Sequence, residues 1–258
     1  MEPHAILLVT QYEGGQFAGW QRQPDARTVQ GEMERVLQRL CGAPTAAIGA
    51  GRTDAGVHAH GQGVGVRVSD RWTPATLQRA MNALLPSDIW VQSAHAMVPA
   101  FHPRRSAIGR RYRYLVGADP GSRSPFRRRY EWAVAKALDA EALTGEAAAL
   151  SGEHEFRAFA VAHTAPVSDH HRCVIHHATW TEREGGWVFE IAANRFLHHM
   201  VRFLVGTMVE VALGRRPRGD IARLLTLANN GETAAPAPAH GLSLHQVVYP
   251  STLYLDTL

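Results

Sequence analysis

The segment GAGRTDAGVHAHGQ, residues Gly49–Gln62, contains one carboxylate, Asp54, among glycines, alanines, one arginine and two histidines. An Asp-x-Gly sequence is common turn chemistry, so a purely structural turn is one interpretation of this segment. The small residues at positions 49, 50, 51, 55 and 56 also predict open space above Asp54, which a bulky, flat substrate could enter. A single carboxylate argues against the two-carboxylate mechanism of glycosidases and is compatible with one nucleophile at a sugar or base carbon.

Outward from this segment, the first half of the chain alternates strand-like and helix-like stretches. Thr28 and Thr73 are predicted to cap two helices whose apolar residues recur at helical spacing. The predicted elements are a strand at 5–10, a helix at 28–40, a strand at 61–68, a helix at 73–86 and a strand at 88–95. This order predicts an antiparallel or mixed sheet with helices on one face.

The second half of the chain has a similar α+β pattern. Its predicted strands are at 111–117, 130–135, a pair within 174–194 and 242–250, and its predicted helices are at 139–152, 195–214 and 219–229. The stretch 229–241 is predicted to be a loop, and Gly152 and Gly214 are expected to end their helices. We therefore expect two α+β domains, residues 1–100 with the Asp54 loop and residues 101–258 with the long helix.

Composition restricts the class of protein. The chain has 258 residues, 45% of them hydrophobic, and a formal net charge of +4, which is typical of a globular protein. No stretch reaches the ~18 uninterrupted apolar residues of a membrane span. The first residues lack the features of a signal peptide, and Cys41 and Cys173 have no disulfide or metal-ligand spacing, so we expect a cytoplasmic protein.

Arginine is concentrated between Phe101 and Tyr130, where Asp119 is the only acid. The nine arginines of this stretch are at positions 104, 105, 110, 111, 113, 123, 127, 128 and 129. A solvated basic surface is the simpler interpretation. Aromatic residues are interleaved with these arginines, however, and that combination is typical of sites that hold phosphates and unstacked bases.

Arg202 lies in the middle of the predicted helix that is apolar on nearly every side. Arginine stays charged in proteins, so a buried Arg202 needs an anion, either a carboxylate or a nucleic-acid phosphate. The alternatives are that it extends to the edge of the helix or forms a structural ion pair.

Several motifs of the chain together resemble the tRNA pseudouridine synthase A (TruA) family. GRTDAGVHAHGQ is similar to the family's Arg-Thr-Asp-Ala-Gly-Val-His-Ala motif, and YEGGQFAGWQRQP to its N-terminal signature. Further similar segments, in chain order, are TVQGEMERVL, MNALLPSDIWV, FHPRRSAIGRRYRY, NRFLHHMVRFLVGTMVEVALG and APAHGLSLHQVVYP. Departures are Glu13, where the family commonly has aspartate, and the loosely matching stretch at 156–177.

This resemblance implies a role for individual residues. The family's nucleophilic aspartate corresponds to Asp54, its neighbouring arginine, which helps the target nucleotide leave the helix, to Arg52, and the tyrosine that stacks on the target base to Tyr112. The arginine that pairs with the nucleophile corresponds to Arg202, and a pocket leucine to Leu244, although Leu242 is close enough to leave this register open. Additional RNA contacts are expected from Arg110, Arg111, His58 and Arg22.

The resemblance also implies a two-domain pseudouridine synthase fold with a basic cleft between its halves. It implies a homodimer that converts uridine to pseudouridine at positions 38, 39 and 40 in the anticodon arm of tRNA. The N-glycosidic bond at C1′ breaks, the uracil turns and rejoins through C5, and the C5 proton is lost. No electrons are exchanged, so we expect neither a cofactor nor a metal.

Two other functions remain open from the residues themselves. One is a non-catalytic tRNA-binding or tRNA-folding protein, in which Asp54 would only shape a turn. The other is a nucleoside hydrolase, which would release free uracil and for which we find no carboxylate cluster. Paired histidines at 170/171, 176/177 and 198/199 suggest a metal site, but no cluster of cysteines or acids completes it.

Overall fold

The computed structural model describes residues 3–162, 164 and 170–255 of the chain. Part of the loosely matching stretch, His163 and residues 165–169, therefore lies outside the described residues. The chain divides into two compact units. The first contains the residues up to Ile108 together with those from Leu244 onwards, and the second contains Gly109–Ser243. The expected domain bounds, 1–100 and 101–258, stay a prediction.

The first unit contains an antiparallel sheet and two helices. Its elements are β1 (His4–Tyr12), α1 (Val29–Cys41), β2 (Ile48–Gly49), β3 (His58–Val68), α2 (Pro74–Leu84), β4 (Ile89–Met97) and most of β10 (Leu242–Val248). Strand β1 lies between β4 and β3 and is antiparallel to both. Strand β10 is next to β3 on the side away from β1, and the short β2 also pairs with β3.

The helix starts of this unit follow the predicted caps. The side chain of Thr28 accepts a hydrogen bond from the Gly31 N–H and begins α1, which ends at Gly42 in the left-handed conformation. Thr73 and Thr76 form a reciprocal capping box at the start of α2, with Pro74 in its first turn. Both predicted caps are therefore confirmed. In each, a Thr side chain accepts from a backbone N–H group that has no partner inside the helix.

The described residues of the second unit form a sheet and three α-helices. Its elements are β5 (Gly109–Gly117), β6 (Trp132–Ala133), α3 (Ala140–Ala148), β7 (Gly152–Glu155), β8 (Arg172–Arg183), β9 (Gly186–Ala193), α4 (Met200–Ala212) and α5 (Asp220–Leu224). The strands β5, β9, β8 and β7 follow one another in this order and each neighbouring pair is antiparallel. The short strand β6 runs parallel to β5.

Three helix predictions for this unit were too long. Helix α4 begins at Met200 rather than at Arg195, because His199 has φ +61°, a left-handed conformation that an α-helix cannot contain. Helix α3 ends at Ala148, and Gly152 opens β7 instead of closing the helix. Helix α5 covers only Asp220–Leu224. The mixed α+β class itself is confirmed, and none of the described helices has the length and hydrophobicity needed to span a lipid bilayer.

Candidate active site

Asp54 lies in the connection between β2 and β3, residues 50–57, and is half-buried. The Val57 N–H donates to the Asp54 carbonyl over 3.2 Å, so a tight turn follows the acid. Gly56 has φ +79° in this turn, a conformation that costs little only for glycine. The Asp-x-Gly sequence therefore does form a turn, and the turn places Asp54 at its first position.

The backbone on both sides of Arg52 is held by hydrogen bonds from other elements. Nε2 of Gln62, on β3, donates to the Gly51 carbonyl over 2.8 Å. The Trp20 N–H donates to the Thr53 carbonyl over 3.0 Å. The hydroxyls of Thr53 and Tyr12, on β1, are 2.8 Å apart. These contacts leave the peptide units before Asp54 little freedom to move.

The segment after β1 packs its backbone directly against the Asp54 loop. A Cβ atom on Gly19, which has φ +96°, would lie 2.8 Å from the Thr53 carbonyl oxygen, and one on Gly14 would lie 2.1 Å from the Val57 carbonyl oxygen. The Gly56 N–H donates across this contact to the Phe17 carbonyl. Glycine is required here because any side chain would separate two backbones that support the loop.

The expectation of open space above Asp54 is correct for part of the loop only. An added Cβ on Gly51 would meet nothing within 4 Å, and Ala55 is exposed. An added Cβ on Gly49, in contrast, would lie 2.6 Å from the ring of Trp20, and Ala50 is buried. The prediction was wrong for these two residues, because Gly49 makes room for a core tryptophan rather than for a substrate.

Burial keeps Tyr12 protonated beneath the loop. The residue is 4% exposed, and burial raises the pKa of its hydroxyl to about 12, against smaller opposing effects of hydrogen bonds with Thr53 and Gln62. Tyr12 therefore carries no charge at neutral pH. Its hydroxyl is hydrogen-bonded to the Thr53 side chain, while the Gln62 side chain separately holds the Gly51 carbonyl.

His58 opens β3 and is buried, with only 8% of its side chain accessible. Its Nδ1 accepts a hydrogen bond from the Gly14 N–H over 3.0 Å. A nitrogen that accepts from an N–H carries no proton of its own, so the contact of 3.6 Å to Glu13 Oε1 is not a bond from Nδ1–H. The observed contacts join His58 to the Gly14 segment, and its contact with RNA stays a prediction.

The other predicted residues of this unit differ in exposure. Arg52 is exposed and lies two residues before Asp54. Arg22 is exposed and pairs with Glu34, Nη1 to Oε2 over 3.2 Å. Leu244, on β10, is fully buried, and Leu242 is 5% exposed. Both leucines that could correspond to the family's pocket leucine are therefore buried, and the pocket role of Leu244 stays a prediction.

In the second unit, alternation along β5 places Arg110, Tyr112 and Tyr114 on one face of the strand. The rings of Tyr112 and Phe196 meet edge to face, with centroids 5.0 Å apart and planes at 82°. Arg110 Nη1 donates to the Asn194 carbonyl over 2.9 Å. Arg111 is exposed on the opposite face. Tyr112 is half-buried, and its ring plane is set by Phe196.

Arg202 lies in α4 and is anchored by the stretch that the sequence predicted to be a plain loop. Its Nε donates to the Ala237 carbonyl over 2.8 Å, and the Ala237 N–H donates to the Arg202 carbonyl over 2.9 Å. One helical turn further on, a Cβ on Gly206 would lie 2.3 Å from the Ala235 carbonyl oxygen. The loop 235–238 is therefore packed against α4 and fixes the orientation of the guanidinium.

Tyr114 supports the same loop from β5. Its hydroxyl donates to the Pro238 carbonyl over 2.7 Å. Burial raises the pKa of Tyr114, and the positive charge of Arg202 opposes this increase in part. Sequence reasoning missed this arrangement. The sequence signal that could have revealed it is the Ala-Pro-Ala-Pro run at 235–238. The two prolines have no N–H, so this stretch cannot form a regular helix and its carbonyls remain available to accept hydrogen bonds from other elements.

Comparison with known proteins identifies close relatives over nearly the whole chain. The family model described as tRNA pseudouridine synthase matches residues 8–104 and 147–250. A protein of Shouchella clausii (strain KSM-K16) is 38% identical over 95% of this chain and 93% of its own length. Proteins of Myxococcus xanthus and Geobacter sp. (strain M21) are 41% and 37% identical, over 95% of this chain and 91% and 98% of their own lengths. All three are named tRNA pseudouridine synthase A.

Proposed function

Since the chain belongs to the tRNA pseudouridine synthase family and isomerises uridine to pseudouridine in tRNA, we propose that Asp54 supplies the nucleophile. The observation that carries this assignment is the position of Asp54. It is the only carboxylate of residues 49–62, it is half-buried, and the peptide units before it are hydrogen-bonded to β1, β3 and the Trp20 segment. A preorganised nucleophile lowers the entropic part of the reaction barrier.

The chemistry needs one bond broken and one formed at the same sugar carbon. The N1–C1′ bond of uridine breaks, the detached uracil rotates, a C5–C1′ bond forms, the proton on C5 leaves and N1 takes up a proton. Atoms and electrons balance within the nucleotide, so the protein has to bind and orient it, supply a transient nucleophile or base, and transfer a proton. Asp54 serves this sequence by attack at C1′, by addition to the base, or as the base that yields a glycal intermediate.

Tyr112 is proposed to stack on the uracil after the nucleotide leaves the RNA helix. Its edge-to-face contact with Phe196 fixes the ring plane, and its half-buried position leaves part of the ring accessible. Stacking of one base on an aromatic ring contributes about 1–3 kcal/mol and is tolerant of rotation. Such tolerance suits a base that must turn from N1 to C5.

Arg202 is proposed as the catalytic cation, and Arg52 as the residue that helps the target nucleotide leave the helix. The bond from Arg202 Nε to the Ala237 carbonyl orients a charge that lies in a largely buried helix. Arg52 is exposed and lies two residues before Asp54 in the sequence. Leu244 is proposed to line the pocket, and Arg110, Arg111, His58 and Arg22 to contribute to tRNA binding.

The proposed substrate region is the anticodon arm, with uridines at positions 38, 39 and 40. Transcripts in which uridine is replaced by cytidine at one of these positions test this proposal. The proposed form of the enzyme is a cytoplasmic homodimer, and sedimentation of the protein with and without tRNA tests its oligomeric state. Both proposals are supported by the family membership of the chain.

The decisive experiment is tritium release from C5-tritiated uridine in an unmodified tRNA transcript. We expect release by the wild type and by Asp70→Asn, a control that changes an exposed loop aspartate, and none by Asp54→Asn, which still binds tRNA. Equal release by Asp54→Asn would overturn the assignment of the nucleophile. Binding without release by the wild type would support the non-catalytic alternative, and free uracil would support a hydrolase.

A further inference from the structure

The loop Pro120–Tyr130 displays an exposed phenylalanine among exposed arginines. We propose that this loop is a second tRNA contact, in which the arginines bind phosphates and Phe126 stacks on an unpaired base. The proposal rests on the proposed function only in taking tRNA as the substrate. A strand rises about 3.3 Å per residue, so Gly117, where β5 ends before this loop, is about 16 Å from Tyr112. The loop is therefore distinct from the Tyr112 site.

The base of the loop is fixed by ion pairs centred on the buried Glu131. Glu131 is 3% exposed and binds two arginines, Arg127 over 2.7 Å and Arg183. Arg127 also pairs with Asp119 over 2.9 Å, and this guanidinium holds the pKa of Asp119 below its usual range. The two acids next to the loop, Asp119 and Glu131, are thus paired with Arg127 and Arg183.

Successive turns present Phe126 to solvent. The Arg127 and Arg128 N–H groups both donate to the Ser124 carbonyl, over 3.0 and 2.8 Å, and the Tyr130 N–H donates to the Arg127 carbonyl over 2.9 Å. Phe126, inside the first turn, is 88% exposed. The ring therefore gains little from packing within the fold, and its faces are available for a base to stack on.

The surrounding charge indicates the kind of partner. Arg123, Arg128 and Arg129 are exposed, and no acid occurs between Pro120 and Tyr130. Arg129 lies over the ring of Tyr130, with its guanidinium carbon 5.9 Å from the centroid. A contact between two copies that placed this loop against itself would bring like charges together, and their repulsion would oppose it. A phosphate backbone with an accessible base satisfies both the guanidinium groups and the ring.

The first test measures the salt dependence of tRNA binding by Arg123→Gln/Arg128→Gln. Each phosphate contact contributes roughly 0.7–0.9 to the slope of log K against log salt, so we expect the slope to fall by about 1.5. The matched control, Arg39→Gln/Arg79→Gln, removes two exposed arginines from α1 and α2 and should leave the slope unchanged. An equal fall in both double variants would show general attraction only and would overturn the proposal.

The second test separates stacking from simple apolar contact. We expect Phe126→Leu to raise the Kd and KM for tRNA about tenfold, and Phe126→Trp to keep both within about twofold, because only the indole retains a stacking face. The kcat at saturating tRNA should be unchanged in both variants. Wild-type affinity in Phe126→Leu would overturn the proposal, as would a loss confined to kcat.

Sedimentation of the same variants without tRNA tests a protein partner. If Phe126→Leu or Phe126→Ala changes the oligomeric state, the loop is an interface between copies and the proposal is wrong. Tritium release by the wild type is measured in parallel. Its absence would reject the proposed function, whereas release with unchanged binding by the loop variants would reject only the second tRNA contact.

Discussion

The hydroxyl of Tyr12 lies 2.8 Å from the hydroxyl of Thr53, the residue directly before Asp54. This contact joins the first strand of the chain to the loop that carries the proposed nucleophile. Gln62, on β3, holds the Gly51 carbonyl on the other side of Arg52. The position of Asp54 is therefore set by buried side chains beneath the loop.

Replacement of Tyr12 by phenylalanine tests this positioning role. We expect kcat to fall about fivefold to tenfold with KM for tRNA unchanged, because the hydroxyl is lost while the ring still packs on Trp20. The free energy of unfolding should fall by about 1 kcal/mol, as for one buried hydrogen bond. Tyr249→Phe is the matched control, since it likewise removes one buried hydroxyl, which donates to the Pro103 carbonyl over 2.8 Å. The same fall in kcat for both variants would indicate a general effect on folding.

The stability of the protein should decrease at alkaline pH. Burial raises the pKa of Tyr12 from 10.0 to about 12, so its contribution to stability is complete below pH 10 and is lost as pH rises towards 12. Burial raises the pKa of Tyr114 as well, which adds an effect of the same sign. Between pH 9 and 11 the wild type should lose about 1 kcal/mol more unfolding free energy in urea than Tyr12→Phe does. Parallel losses would contradict the burial of the Tyr12 hydroxyl.

Gly19→Ala should displace the Asp54 loop. The new Cβ would lie 2.8 Å from the Thr53 carbonyl oxygen, in addition to the strain of φ +96°. Gly42→Ala introduces comparable strain at φ +75° with nothing within 4 Å, at a cost of about 1 kcal/mol. We expect Gly19→Ala to unfold at lower urea than Gly42→Ala and to have a kcat at least tenfold lower. A kcat equal to that of the control would show that the loop tolerates the contact.

Gly206→Ala should disturb the orientation of Arg202. Its Cβ would lie 2.3 Å from the Ala235 carbonyl oxygen and push the loop 235–238 away from α4, weakening the Arg202–Ala237 hydrogen bonds. We expect a loss of about 1–3 kcal/mol in stability and a lower kcat. Gly145→Ala, at an exposed position of α3 with nothing within 4 Å, should be neutral or stabilising by about 0.5–1 kcal/mol. A wild-type kcat in Gly206→Ala would show that the loop 235–238 does not affect catalysis.

Local sequence signals predicted most elements of the fold. Thr28 and Thr73 each cap a helix within a few residues, and the turn at Gly185 joins two strands that are adjacent in sequence. Such features depend on hydrogen bonds between near neighbours, so a short window of sequence contains what is needed. The start of α4 was mispredicted because the apolar pattern continues through Phe196, whereas His199 adopts a left-handed conformation that periodicity does not report.

The sequence by itself determined the family, the mixed α+β class and the assignment of Asp54 as the proposed nucleophile, because a contiguous motif preserves residue identity and spacing. Only the tertiary structure decided what supports that residue. Tyr12, Trp20 and Gln62 converge on the loop from separate elements, and the 235–238 loop, far along the chain from Arg202, fixes the orientation of its guanidinium. The physical reason is that these supports are hydrogen bonds and backbone contacts between segments distant in sequence, and their partners exist only after the chain has folded.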